Sequence, residues 1–133
     1  MIYAVDSDIL SYMIKDNRTV QANFDKLVGN DDDYAIPPLV YYEVKRGLTY
    51  KNAATKLQLF ENFYNGSVQN DVMAAEIWRK AIDIYVMLKA RGRIIGDGDI
   101  FIAAFCIVND YALITNNTQH YNDIPELQKI NIV

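Results

Sequence analysis

Several acidic side chains stand where strands are predicted to end or helices to begin. Asp6 directly follows a short apolar run, and Asp97 and Asp99 come directly before a strongly apolar stretch. Asn117 lies just after a second apolar run. In open α/β folds, ligands bind beyond the carboxyl ends of parallel strands, so these side chains are candidates for one shared site. For each aspartate taken alone, helix capping is the alternative, because a carboxylate stabilises a helix N-terminus without any further function.

Glu43 occupies a position that needs a partner. On a helix it shares a face with Leu39, Val40 and Gly47, which lie three or four residues away. A glutamate on an apolar face is costly unless it is paired or binds a metal. The structural alternatives are an ion pair with Arg46 and a helix tilt that leaves Glu43 at the edge of the core.

A set of acids without a histidine or cysteine cluster favours a hard cation, Mg²⁺ or Mn²⁺, over zinc. Such a cation suits phosphoryl chemistry, because it activates water and offsets charge on phosphate oxygens. The chain has one histidine, His120, and one cysteine, Cys106. We expect His120 to be packed or solvated and Cys106 to be an inert core thiol, because the cysteine lies in an apolar stretch.

The chain has 133 residues, and we expect residues 1–133 to form a single domain. No apolar stretch approaches the roughly 20 residues of a membrane span, and Asp6 interrupts the apolar start too early for a signal peptide. The single cysteine excludes an internal disulfide framework and a multi-cysteine zinc site. These features fit a cytoplasmic protein.

The net charge of −4 argues at face value against a nucleic-acid partner. The charge is unevenly distributed, since residues 45–93 carry nine basic and four acidic side chains. We hypothesise that this basic segment flanks an acidic site and contacts phosphates there. Scattering of its lysines and arginines over different surfaces would contradict that hypothesis.

Short apolar runs alternate with stretches of helical periodicity along the chain. Strands are predicted at 2–5, 34–36, 67–69, 111–115 and 130–133. Helices are predicted at 9–13, 19–28, 38–47, 52–64, 71–91 and 100–108. Strands separated by helices favour an α/β fold with a central, mostly parallel sheet and helices on both faces.

The order and spacing of these motifs resemble PIN-domain nucleases over essentially the whole chain. Ile2–Leu10 is similar to the family's opening strand and first acid, and Glu43–Gly47 to its second acid followed by glycine. Gly96–Ala104 resembles the segment G-x-x-D-x-x-I-A-A, the most specific of the four. Ala112–Tyr121 resembles a strand that ends in T-x-N before an aromatic residue. The short length is similar to that of VapC-type toxins.

The resemblance implies a PIN-like domain and a set of site residues. The implied catalytic residues are Asp6, Glu43, Asp97, Asp99 and Asn117. Asp6 and Asp99 match the principal metal ligands, and Glu43 matches a third acidic ligand or water-orienting group. Ser7 matches a small hydroxyl that supports the site, whereas Asp8 departs from the commoner asparagine.

The resemblance further implies a Mg²⁺-dependent endoribonuclease, with Mn²⁺ as an alternative cation. Its implied substrates are structured RNAs, often tRNA. Its implied partners are a second copy of the chain and a small antitoxin whose tail enters the acidic groove. No membrane partner is implied.

Two other readings of the same acids stay open. Asp6-Ser7-Asp8 after a strand, with Gly96–Asp99, also resembles haloacid-dehalogenase-type phosphatases, in which Asp6 would be a nucleophile and Asp8 a general acid. Against this, Asp8 is not followed by Gly-Thr, and the chain is short for that fold. The third reading is a catalytically degenerate α/β binding module whose acids are only caps and ion pairs.

Overall fold

The computed structural model describes residues 1–29 and 31–133, which form four strands, six α-helices and one 3₁₀ helix. The strands are β1 (Ile2–Val5), β2 (Asp33–Ala35), β3 (Ala112–Ile114) and β4 (Lys129–Ile130). The helices are α1 (Ser7–Ile14), α2 (Arg18–Val28), α3 (Pro38–Tyr50), α4 (Ala54–Asn65), α5 (Ala75–Ala90) and α6 (Asp97–Asn109). The 3₁₀ helix spans Thr118–Tyr121.

The strands form one sheet in the order β2-β1-β3-β4, and every neighbouring pair is parallel. This confirms the predicted α/β class with a parallel sheet. Val5 pairs with Ile114, and the Asp6 backbone N–H donates to the Ile114 carbonyl at 3.0 Å. Asp6 and Thr115 therefore leave the sheet side by side at its carboxyl edge.

The core lies on both faces of the central strands. Ala4 and Val5 point to opposite faces of β1, and both are fully buried. Leu113 and Ile114 are likewise fully buried in β3. Both faces of the sheet are therefore covered, as expected for parallel strands with helical crossovers.

Several element boundaries differ from those predicted. α3 continues past Gly47 to Tyr50, because an interior glycine costs a helix only about 1 kcal/mol and does not end it. α5 begins at Ala75 rather than at residue 71. Residues 67–69 contribute a single bridge, from Val68 to Ala35, and the last strand is 129–130 rather than 130–133. Among the described residues, no helix is long and apolar enough to span a membrane.

The start of α6 differs from the prediction in a way that matters for the site. The helix begins at Asp97, with Gly96 as its N-cap, rather than at Ile100. Asp97 and Asp99 therefore both lie in the first turn, where the helix dipole favours carboxylates. Successive residues turn by about 100° around a helix axis, so these two side chains project in different directions.

Candidate active site

Asp6 is held at the carboxyl edge of the sheet by two neighbours. As N-cap of α1, its Oδ1 accepts the Ser7 backbone N–H at 2.8 Å. Its Oδ2 accepts the Thr115 hydroxyl at 2.9 Å. Asp6 is only 6% exposed and Thr115 is fully buried, so this carboxylate has little freedom to reorient.

Asp99 reaches the same place from the first turn of α6. The Tyr121 hydroxyl lies 3.2 Å from Asp99 Oδ1 and 3.4 Å from Asp6 Oδ2. The other oxygen of Asp99, Oδ2, lies 2.9 Å from His120 Nε2. The structure thus brings together two of the predicted metal ligands through a side chain to which the sequence analysis assigned no role.

Glu43 faces this pair from α3. Its Oε1 atom is buried and has no hydrogen-bond partner among the described residues. Burial raises the pKa of Glu43, the nearby Asp99 carboxylate raises it further, and Arg46 lowers it. No Glu43–Arg46 ion pair within 4 Å is present in the described part of the chain, and the Arg46 guanidinium instead lies over the Tyr42 ring at 4.8 Å.

Asp8 is a fourth carboxylate beside the site. It accepts the backbone N–H of Asn116 at 3.0 Å and that of Ile9 at 2.7 Å, and its Oδ2 lies 3.4 Å from the Thr115 hydroxyl. Asp8 thereby joins the start of α1 to the segment after β3. Burial raises the pKa of Asp8.

The remaining predicted site residues lie around this cluster rather than in it. Asp97 is exposed and borders a groove between α5 and α6, next to Trp78 and Phe101. Asn117 is exposed; its backbone N–H donates to Thr115 Oγ1 at 3.1 Å, and its side chain does not cap the 3₁₀ helix. Ser7 borders a pocket between α1 and α3. The catalytic roles of Asp97 and Asn117 and the supporting role of Ser7 stay predictions, as do the catalytic roles of Asp6, Glu43 and Asp99.

Each carboxylate in the cluster makes the ionised form of its neighbours less favourable. Burial, followed by the charges of Asp8 and Asp99, raises the pKa of Asp6 to about 6, although the hydrogen bonds from Ser7 and Thr115 lower it. Burial also raises the pKa of the fully buried Cys106 thiol, in agreement with the predicted inert cysteine. The cluster is therefore a concentration of negative charge, and within the described ranges 1–29 and 31–133 no lysine, arginine or histidine is ion-paired with Asp6 or Glu43.

The donor set fits a hard divalent cation. Asp6, Glu43 and Asp99 offer only carboxylate oxygens, which such ions prefer. A cation among them would offset their mutual repulsion and give the orphaned Glu43 Oε1 a partner. Among the residues that the structure describes, no three acidic, histidine or cysteine side chains are already drawn together as a metal-binding group.

Comparison with known proteins gives a consistent result. The family model described as "PIN domain" matches residues 3–126. Ribonuclease VapC2 of Rickettsia felis is 25% identical over 127 residues, which cover 96% of this chain and 95% of that protein. Ribonuclease VapC1 of Haemophilus influenzae strain R2866 is 25% identical over 132 residues, with 96% of each chain covered.

Solved structures show the same fold. A crystal structure of VapBC2 from Rickettsia felis, bound to a DNA fragment from their promoter, has a TM-score of 0.89 at 26% identity and covers 98% of both chains. A crystal structure of DNA-bound VapBC from Salmonella typhimurium has a TM-score of 0.87 at 18% identity and covers 100% of both chains. The sheet and helices described above are therefore similar to those of VapBC structures along the whole chain.

Proposed function

The chain belongs to the PIN-domain family, and we propose that it is a metal-dependent endoribonuclease that acts as the toxin of a toxin–antitoxin pair. The proposal is carried by one observation, the convergence of Asp6 and Asp99 on the Tyr121 hydroxyl with Glu43 beside them. The names of the relatives, Ribonuclease VapC2 and Ribonuclease VapC1, support RNA as the substrate. The fold match to VapBC structures supports the toxin role.

The chain's own residues divide the chemistry. Asp6 and Asp99 would hold the cation, Mg²⁺ or Mn²⁺, and Glu43 is the third acid. When bound, the cation lowers the pKa of a water molecule and offsets phosphate charge. Glu43 and Asp99 would orient the attacking water, and Asp6 would anchor the cation. No covalent enzyme intermediate is needed, which distinguishes this reaction from the phosphatase alternative that uses Asp6 as nucleophile.

The proposed protein partner is a cognate antitoxin, as in the VapBC structures. A groove of about 600 Å³ between α1, α2 and α4 offers it an apolar surface. Its apolar lining residues are Leu10, Met13, Ile14, Phe24, Leu59 and Phe63, and Asp16, Gln21 and Asp25 also line it. An amphipathic segment that fills this groove would lie against α1, the helix that Asp6 caps.

A homodimer is the second proposed assembly. One side of α5 carries exposed apolar side chains three or four residues apart, namely Trp78, Ile82, Tyr85 and Val86. A contiguous apolar patch of this kind is typical of a protein interface. Because the proposed substrate is structured RNA such as tRNA, the proposed location is the cytoplasm.

The function is tested by incubating purified protein with labelled tRNA and with a circular RNA, in Mg²⁺, in Mn²⁺ or in excess chelator. We expect discrete fragments with either cation and none with chelator, because the carboxylate cluster cannot activate water by itself. Opening of the circular RNA identifies an endonuclease, and sequencing of the fragment ends identifies the cleaved position.

Protein carrying Glu43→Gln and purified in the same way controls for contaminating nucleases, because its neutral side chain leaves the fold intact and removes one acid from the site. Undiminished cleavage in chelator, or by the Glu43→Gln protein, would contradict the proposal. Absence of cleavage under every condition would favour the catalytically degenerate binding module.

The basic segment at 45–93 does not form the single flank that its charge suggested. Lys51 and Lys56 border the pocket between α1 and α3, whereas Lys89 and Arg93 border a different pocket at the end of α5. Lys45 and Lys80 are ion-paired, with Glu61 and Glu126 respectively. The hypothesis of one basic flank was therefore wrong, because helices turn their charged residues towards several surfaces.

One basic pocket does adjoin the site. It has a volume of about 240 Å³ and is lined by Ser7 and by three exposed lysines, Lys15, Lys51 and Lys56. Within the described residues, these lysines have no carboxylate within 4 Å. Since Ser7 directly follows Asp6, the pocket is a suitable place for RNA phosphates next to the scissile bond.

We expect the Lys51→Ala/Lys56→Ala double variant to raise KM for RNA by about 10-fold and to leave kcat nearly unchanged, because each exposed charge pair contributes roughly 0.5–1 kcal/mol of binding. The salt dependence of binding should also weaken, by about 0.7 in slope for each phosphate that the protein no longer neutralises. Titration of RNA at several salt concentrations measures both effects.

The matched control is Arg18→Ala/Lys26→Ala, which removes the same charge from exposed positions on α2. If both double variants weaken RNA binding equally, only net charge matters and the pocket has no specific role.

A further inference from the structure

We propose that Tyr121 and His120 are positioning residues that hold the Asp6 and Asp99 carboxylates in a fixed arrangement for a divalent cation. This inference rests on the proposed function and assigns a role to two side chains outside the carboxylate set. Both residues come from the 3₁₀ helix after β3. Neither is proposed to touch the substrate or the reacting atoms.

Tyr121 joins the two carboxylates. Its hydroxyl lies 3.4 Å from Asp6 Oδ2 and 3.2 Å from Asp99 Oδ1, and the residue is 1% exposed. A phenol hydroxyl carries its proton at neutral pH, and a carboxylate oxygen can only accept, so the Tyr121 hydroxyl is the donor in these contacts. One donor placed between two negative groups limits how far their repulsion can separate them.

His120 holds the other oxygen of Asp99. Its Nε2 lies 2.9 Å from Asp99 Oδ2, and its ring packs edge-on against the Tyr121 ring at a centroid distance of 5.7 Å. Each oxygen of Asp99 therefore meets a different side chain of one short turn. Two contacts on one carboxylate fix its rotation as well as its place.

The turn itself is tied to Asp6. The Asn117 N–H, at the start of the turn, donates to Thr115 Oγ1 at 3.1 Å, and the same Thr115 hydroxyl donates to Asp6 Oδ2 at 2.9 Å. A continuous path of hydrogen bonds thus runs from Asp6 through Thr115 and the turn to Asp99. Movement of the turn would change both carboxylates together.

This arrangement matters because Mg²⁺ demands near-ideal octahedral geometry and tolerates misplaced ligands poorly. Side chains that orient ligating groups typically change metal affinity or activity by about 10- to 100-fold when removed. Loss of the Tyr121 hydroxyl or the His120 ring should therefore weaken cation binding while leaving the three acids in the chain.

The first test is Tyr121→Phe, which keeps the buried ring and removes only the hydroxyl. We expect Mn²⁺ affinity, measured by calorimetry without RNA, to fall about 10-fold. The Mn²⁺ concentration for half-maximal cleavage should rise by the same factor, with kcat at saturating Mn²⁺ changed far less. Tyr34→Phe is the matched control, because the Tyr34 hydroxyl donates to the Phe63 carbonyl and contacts none of the site carboxylates.

The second test uses His120, which is part-exposed and can be replaced without opening the core. His120→Ala should weaken Mn²⁺ binding about 10-fold, and His120→Gln should restore most of it, because the glutamine amide can donate to Asp99 from a similar place. Gln119→Ala, at the exposed neighbouring position, should leave Mn²⁺ affinity unchanged. Rescue by glutamine separates positioning from a merely structural role.

The outcomes separate this inference from the proposed function. If wild-type protein binds Mn²⁺ and cleaves RNA, if Asp99→Asn does neither, and if the Tyr121 and His120 variants match wild type, the positioning role is overturned and the nuclease stands. Tighter Mn²⁺ binding by His120→Ala would also overturn it, since the histidine would then compete with the cation. If wild-type protein neither binds Mn²⁺ nor cleaves RNA, both proposals fail. Should Tyr121→Phe not fold, the His120 variants still decide.

Discussion

Replacement of Asp6 by asparagine is expected to reduce RNA cleavage by more than about 100-fold and to make the folded protein more stable at pH 7. The activity loss should exceed the 10- to 100-fold that removal of an orienting side chain costs, because Asp6 is a proposed cation ligand itself. Asparagine can still accept the Ser7 N–H, and its amide group can donate to Thr115 Oγ1. The fold should therefore tolerate the change.

The stability gain follows from the pKa of Asp6. In the folded protein that pKa is raised from 3.8 to about 6. A group whose pKa is raised on folding contributes stability that is fully present below about pH 4 and is lost as pH rises through about 6. At pH 7 the charged Asp6 therefore destabilises the metal-free fold by up to about 3 kcal/mol. Asparagine removes that charge, and we expect a gain of about 1–3 kcal/mol.

Urea unfolding at pH 4 and pH 7, in chelator, measures this effect. The gain from Asp6→Asn should be present at pH 7 and nearly absent at pH 4, where Asp6 is already protonated. Asp83→Asn, which removes the same charge from an exposed position on α5, is the control and should change stability little at either pH. A loss of stability in the Asp6→Asn protein at pH 7 would show that its charge is already neutralised within the chain.

Addition of a divalent cation is expected to raise the melting temperature of the wild-type protein by about 10 °C at pH 7. A ligand present at 100 times its Kd stabilises the folded state by about 2.7 kcal/mol, and a domain of this size shifts by roughly 3–5 °C for each kcal/mol. The physical cause is relief of repulsion among Asp6, Glu43 and Asp99, together with a partner for the orphaned Glu43 Oε1.

The cation effect should depend on pH in a defined direction. The pKa values of Asp6 and Glu43 are both raised, so protons occupy these oxygens under acidic conditions and compete with the cation. We expect the full shift in melting temperature at pH 7 and almost none at pH 4. Calorimetric scans with Mn²⁺, against K⁺ at equal ionic strength, measure it. An equal shift in Asp99→Asn protein would place the cation elsewhere.

The sequence alone was sufficient for the fold class and for the proximity of Asp6 and Asp99, whereas the catalytic roles of the acids stay predictions. Short apolar runs alternate with stretches of helical periodicity, and this alternation predicted the parallel α/β sheet. Both patterns are local properties of the chain, so they can be recognised without the tertiary structure. The position of Asp6 directly after a buried strand, and of Asp99 at the start of an apolar helix, predicted that they would meet at the carboxyl edge. The structure places them there, on either side of the Tyr121 hydroxyl.

Local patterns did not separate Asp97 from Asp99. With the helix predicted to begin at Ile100, both aspartates preceded the helix, and only the family resemblance favoured Asp99 as a metal ligand. The structure begins α6 at Asp97, so the helical turn sends Asp99 towards Tyr121 and Asp97 towards the groove beside Trp78. The position of the α6 N-cap decides in which direction each aspartate points. An N-cap depends on backbone angles, which a hydrophobic pattern does not contain.

Contacts between distant parts of the chain were decided by tertiary structure. His120 and Tyr121 lie more than 20 residues from Asp99, and nothing in their own neighbourhood indicates that they hold its carboxylate. Likewise, lysines close in sequence separate onto different pockets once the helices pack. Residue type and hydrophobic periodicity determined which side chains had to be buried or capped. The strand order β2-β1-β3-β4 and the packing of the helices determined which of those side chains contact one another. Contacts of this kind depend on the path of the whole chain, and that is why the acids were predictable and the residues that hold them were not.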